Sequence, residues 1–166
     1  MLENKVANSG LKVLDLEDFF PSQEVVELDI SSFLFGGYVL KEKEFRAELK
    51  MYNWHIFEGK IVALFCSTDA IVPQWAYMLL TSYLAPLAAD VYHGNKIAVE
   101  EKAWMKAINA INIENYKDER IIIKGCGKLE KSGSAFVEIS KLLQPIVKSL
   151  MFGEPCSTVP VYKRKE

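Results

Sequence analysis

The sequence predicts an α/β fold built by internal duplication. Helix–strand–helix units surround a small mixed or parallel sheet, and an N-terminal β-containing segment precedes them. Three observations predict this. The second half of the chain repeats the first at an offset of 59 or 60 residues, as Phe45 to Trp104, Cys66 to Cys126 and Pro86 to Pro145 show. Self-similarity at a fixed offset marks a repeated structural unit. Each repeat then carries a stretch of helical period followed by a short β-branched run, while the segment before them alternates apolar and acidic residues.

The elements follow in chain order. In residues 1–38, outside the repeat, Leu11 to Leu16 is an apolar-rich run. Val26, Leu28 and Ile30 alternate with Glu27 and Asp29, the period of a half-buried strand. Phe19-Phe20-Pro21-Ser22 between them is a turn, because proline disfavours helix at the residue before it. Gly36-Gly37 breaks the chain ahead of the first repeat.

The first helices are expected over 40–51, with Phe45, Leu49 and Tyr52 on one face, and over 98–111, with Trp104, Ile108 and Ile111. Ile61 to Phe65 and Ile121 to Ile123 are continuous apolar runs suited to strands buried on both faces. Second helices are expected over 72–90 and 134–149. Pro86 and Pro145 fall late in them, which predicts a kink or break in each. After Gly153, Pro155 and Pro160 restrict the tail to an extended loop or an edge strand. The expected organisation is a single domain over 1–166, with repeats at 39–97 and 98–154 and a tail from 155. A pseudo-twofold between the repeats would place strands 61–65 and 121–123 together in one sheet, with Cys66 and Cys126 on the same edge.

Composition narrows the function classes. Of the 166 residues half are hydrophobic and a quarter charged, as in ordinary globular proteins. A formal net charge of −2 gives no electrostatic case for nucleic acid. The basic run Lys163-Arg164-Lys165 reads as a solvated tail. No apolar run approaches the ~20 residues that span a bilayer. Met1-Leu2-Glu3-Asn4-Lys5 lacks the basic-then-apolar pattern of a signal peptide, so a cytoplasmic location is expected.

Three cysteines have the wrong parity for a disulfide framework. Functional residues of open α/β sheets gather beyond the carboxyl ends of the strands, where Cys66 and Cys126 stand. Cys156 follows the second repeat directly. Three converging thiolates suit zinc, or alternatively an iron–sulfur cluster. A fourth ligand from Cys66-Ser67-Thr68-Asp69 is Asp69, with His93 or water as alternatives. His93 matches Phe152 in the repeat, which suggests packing, and His55 among Trp54, Ile56 and Phe57 reads as structural.

Other readings stand beside this one. Cysteine is also a small buried hydrophobe, and Cys66 and Cys126 could instead form a reversible redox pair with Cys156 resolving it. A third reading is a non-enzymatic interaction module, such as a homodimer. Gly125-Cys126-Gly127-Lys128 lacks the spacing of a nucleotide loop. Trp75, Tyr77 and Met78 read as core.

Several segments carry a resemblance: Val6-Ala7-Asn8-Ser9 with Asp15-Leu16-Glu17-Asp18; Leu40-Lys41-Glu42-Lys43 with Phe45-Arg46; Cys66-Ser67-Thr68-Asp69-Ala70-Ile71 with Pro73 and Trp75 to Leu79; Ile123-Lys124-Gly125-Cys126; and Gly153 through Lys165. Together they resemble the bacterial family designated domain of unknown function 2480, over essentially the whole chain. The resemblance implies a cytoplasmic bacterial protein and no established activity. The Cys/Asp/Cys/Cys set is also similar in ligand type, though not in spacing, to zinc-bearing members of the iron–sulfur scaffold family.

Overall fold

The computed structural model describes residues 10–125 and 133–165. The described strands are β1 (Leu11–Asp15), β2 (Val25–Asp29), β3 (Ile61–Phe65), β4 (Asp90–His93), β5 (Arg120–Lys124), β6 (Ser149–Glu154) and β7 (Ser157–Lys163). The helices are α1 (Glu42–Met51), α2 (Gln74–Leu84), α3 (Lys96–Asn109) and α4 (Ser134–Leu143). The fold is α/β, with one all-parallel and one mixed sheet.

The chain forms two compact units, and their boundary falls within α3. One unit, Pro21–Lys102, is continuous and is inserted into the other, which joins Met1–Phe20 to Ala103–Glu166. The inserted unit holds the parallel sheet β2-β3-β4. The split unit holds β1-β5-β6-β7, parallel except for the antiparallel edge strand β7. Strands β3 and β5 therefore belong to different sheets. The expectation that they share one sheet is overturned, because each is already paired on both sides within its own unit.

The duplication runs deeper than side-chain identity shows. Ile61 pairs with Val25 and Asp90, and Arg120 pairs with Leu11 and Ser149, so one offset of 59 aligns Ile61 with Arg120 and Asp90 with Ser149. The same offset relates hydrogen bonds. Gly59 N–H donates to Leu87 O at 3.0 Å, and Asp118 N–H to Ile146 O at 2.9 Å. Gly59 and Asp118 both have positive φ, 68° and 59°. Asn53 and Asn112 each cap a single 3-10 turn. The opening strands belong to the repeat as well. Asp15 ends β1 and Asp29 ends β2, and each carboxylate caps the 3-10 turn that follows. The segment before residue 39 thus supplies the first strand of both units.

This register corrects the match at the cysteines. Asp29 lies opposite Phe65 and Asp15 opposite Lys124, so Gly125 occupies the place of Cys66 and no indel is needed. The prolines are corrected too. α2 ends at Leu84 and α4 at Leu143, before Pro86 and Pro145 are reached. Ending a helix satisfies a proline more cheaply than a kink, since its ring then meets no preceding turn.

Each unit has its own core. Phe45, Leu49, Leu80 and Leu84 pack beneath β3 with Val62 and Leu64. Trp104, Ile108, Ile139 and Leu143 pack with Ile121 and Ile123 of β5. The offset of 59 maps Phe45 onto Trp104, Leu80 onto Ile139 and Leu84 onto Leu143. Apolar burial of this kind stabilises by about 25 cal/mol per Å². The indole N–H of Trp104 donates to Leu16 O at 3.0 Å, so burial leaves no orphaned donor there.

Gly94 and Gly153 end β4 and lie in β6 at equivalent places, with φ of 141° and 117°. A Cβ at Gly153 would stand 2.5 Å from the Ser157 backbone oxygen, whereas at Gly94 the nearest atom is Ala98 Cβ at 3.4 Å. Gly153→Ala is expected to destabilise by about 2–4 kcal/mol and Gly94→Ala by about 1–2 kcal/mol, as backbone strain of this kind costs. Urea unfolding of the two variants checks the order. Equal losses would show that the close contact with Ser157 is not tight.

Candidate functional site

The carboxyl edge of the β2-β3-β4 sheet carries the polar residues. Parallel strands all point their ends the same way, so Asp29, Cys66 and His93 fall on one edge. Asp29 organises it. It accepts from the Ser31 and Ser67 backbone N–H groups, both at 3.0 Å, and from the Ser67 hydroxyl at 2.5 Å. Ser31 Oγ lies 3.1 Å from Ser67 Oγ. Partial burial pushes the Asp29 carboxyl up, but the hydrogen bonds from Ser67 and Ser31 outweigh it and hold it below the usual carboxylate range.

Cys66 is half-buried, with its Sγ 3.4 Å from Thr68 Oγ1. The Thr68 hydroxyl donates to Gly37 O at 2.6 Å. That bond ties the segment after β3 to a tight reversal at Phe35–Val39, where Gly36 and Gly37 have φ of 59° and 80°. Only glycine adopts such angles without strain. Tyr77, on α2, meets His93 edge-on at a ring distance of 5.1 Å. Burial, and then the neighbouring Cys66, push the Tyr77 hydroxyl above its ordinary value, so it stays protonated at neutral pH.

The two tied segments wall a groove of about 560 Å³. Tyr38, Val39, Glu42, Asp69, Ile71 and Trp75 are among its lining residues. Trp75 is half-buried and carries the Arg46 guanidinium 5.1 Å from its ring centroid. Arg46 in turn donates to Glu42 at 2.9 Å. Tyr38 and Ile71 are 61% and 93% exposed, so the groove keeps apolar surface in solvent.

Described positions of this edge have counterparts in the split unit. Tyr77 and His93 correspond to Phe136 and Phe152, which make the same edge-on contact at 5.7 Å. Asp15, the counterpart of Asp29, is met by Lys124 at 3.2 Å, where the inserted unit has Phe65. Packing geometry is shared at this pair, and the inserted unit adds a hydroxyl and an imidazole to it.

The residues expected to form a metal centre are placed as follows. Asp69 is exposed and lines the groove. Cys66 lies in the inserted unit, while Cys156 lies in the split unit, exposed between β6 and β7. Cys126 falls outside the described residues. Among the described residues, no group of three or more His, Cys, Asp or Glu could hold a metal ion. His93 packs on Tyr77, as its match to Phe152 suggests. His55 is exposed, with Nδ1 3.8 Å from Glu58. Trp75 and Tyr77, read from sequence as core, are only partly buried, and Met78 is 72% exposed. The groove was hidden from sequence reading because its walls are joined by one hydrogen bond between residues 31 apart in the chain. The Gly36-Gly37 pair was the available signal.

Asp29→Asn tests the organising role of the carboxylate. Charge-assisted hydrogen bonds of this kind, discounted for partial exposure, predict a loss of about 1 kcal/mol at neutral pH. Because the folded-state pKa is depressed, the stabilisation is present above the unfolded value near 3.9 and is lost as pH falls through the folded one. The gap between wild type and variant should therefore close below about pH 4. Urea midpoints measured from neutral to acid pH check this. A gap that persists at low pH would assign the loss to packing.

Comparison with curated proteins returned no match, and comparison with solved structures returned none. Among the described residues, no helix is long and apolar enough to cross a membrane. The family model described as "Protein of unknown function (DUF2480)" matches residues 1–164. The chain belongs to that family.

Proposed function

We propose that this protein is a binding module whose inserted unit takes an organic cation, such as an alkyl or aryl amine, in the groove lined by Tyr38, Asp69 and Trp75. One observation carries the reading: the Asp69 carboxylate shares a groove of about 560 Å³ with the aromatic rings of Tyr38 and Trp75, while Glu42 at the same groove is paired with Arg46, a cation that already rests on Trp75. Ligand sites combine apolar walls with a few placed polar groups, and aromatic faces together with carboxylates attract cations.

Titration of phenethylamine, agmatine and neutral benzyl alcohol, followed by tryptophan fluorescence, tests the reading. The amines should saturate, and benzyl alcohol should bind at least about tenfold more weakly, a difference of about 1.4 kcal/mol. Trp75→Ala and Asp69→Asn should each weaken amine binding by a similar factor. No saturation up to about 10 mM, where binding is worth less than about 3 kcal/mol, overturns the reading.

Metal analysis separates this reading from the three-cysteine centre of Cys66, Cys126 and Cys156. Near-stoichiometric zinc or iron in protein purified without added metal, lost in Cys126→Ser, would establish the metal–thiolate protein. Metal-free protein with unchanged stability in chelator would remove it.

A further inference from the structure

We infer that the split unit carries a second, chemically opposite site: a basic groove that binds a phosphorylated small molecule. The groove has a volume of about 450 Å³ and is lined by Arg120, Lys148, Lys163, Arg164 and Lys165, with Ser149 among them. It lies at the start of β5 and β6 and the end of β7. Strand register builds it. Arg120 pairs with Ser149, and Ser149 with Lys163, so the three stand abreast on adjacent strands. Paired residues project to the same side of a sheet, and neighbouring strands are about 4.8 Å apart. Two cations thus flank a hydroxyl across about 10 Å of sheet edge.

The basic run near the C-terminus is exposed, as expected, and its first two residues are tied to the sheet. Lys163 closes β7, and the Arg164 backbone N–H donates to Lys148 O at 2.8 Å. Carboxylates near the groove are engaged. Asp118 accepts from Arg164 at 2.6 Å, and Glu119 pairs with Lys12 at 3.0 Å. That Arg164 hydrogen bond holds the Asp118 carboxyl below the usual range. Besides Arg164, which Asp118 already holds, four cations line the groove on a chain of formal net charge −2.

The groove is not charge alone. Met151, Pro160 and Tyr162 supply apolar and aromatic lining. Its volume falls within the ~300–1,000 Å³ of small-molecule sites. Guanidinium and ammonium groups suit phosphate oxygens, and the apolar lining of Met151 and Pro160 suits an organic portion. A nucleotide-like phosphate meets both requirements.

Isothermal titration into the full chain tests this, with ATP, tripolyphosphate and inorganic phosphate as probes at low salt. ATP should bind saturably and at least about tenfold more tightly than inorganic phosphate. The double variant Lys148→Glu/Lys163→Glu should weaken ATP at least about tenfold, with circular dichroism confirming its fold. Lys43→Glu/Lys50→Glu on α1 should leave binding unchanged. If the double variant does not fold, the single variants Lys148→Gln and Lys163→Gln replace it, each weakening ATP by about threefold or more. Absence of saturable ATP binding overturns the inference, and so does binding undiminished in the groove variants. Tighter binding of a single-stranded oligonucleotide, with affinity rising with its length, would overturn it in favour of nucleic acid.

Discussion

Everything in each unit hangs on its middle strand. Val62, Ala63 and Leu64 of β3 are at most 2% exposed, and Ile121, Ile122 and Ile123 of β5 at most 5%. A strand so enclosed has no water for its backbone, so both edges must be paired. β2 and β4 do this for β3, and β1 and β6 do it for β5. Parallel pairing requires helical crossovers, and the crossovers supply Leu80 and Ile139 at equivalent places in the two cores. The parallel direction then gathers the strand ends, and with them Asp29, Cys66 and His93, on one edge.

Much of this was legible. Ile61 to Phe65 reads as a buried strand, and β3 has those bounds. The period of Val26, Leu28 and Ile30 marks β2, and Pro155 and Pro160 mark an edge position that β7 fills. What escaped has a common cause. Register is fixed by backbone hydrogen bonds, which pay no attention to whether Ile61 faces a counterpart as unlike as Arg120. Matching cysteine to cysteine was chemically attractive and geometrically one residue off. The opening strands were set outside the repeat because β1 and β2 lie together in the chain while pairing in different sheets. Chain order carries no signal for that.

The duplicate also separates scaffold from chemistry. A strand-end aspartate, a 3-10 turn and an edge-on aromatic pair occur in both units. They hold the fold. Tyr77 and His93 stand in the inserted unit where the split unit has Phe136 and Phe152. Those exchanges leave packing intact while adding donors and acceptors, the pattern expected where one copy of a duplicated scaffold takes on a polar task.

The nesting of one unit inside the other sets the order in which the chain can assemble. β1 is made early, but its partner β5 lies about a hundred residues later. During synthesis β1 must wait without its ladder while the inserted unit emerges whole and able to condense. Domains fold as units as they leave the ribosome. The folded inserted unit replaces a flexible stretch of the loop that β1 and β5 must close. Loop closure costs more as the loop grows, so the inner unit acts as an internal template for the outer one. A lesion in the inner core would therefore slow completion of a sheet in which it takes no part.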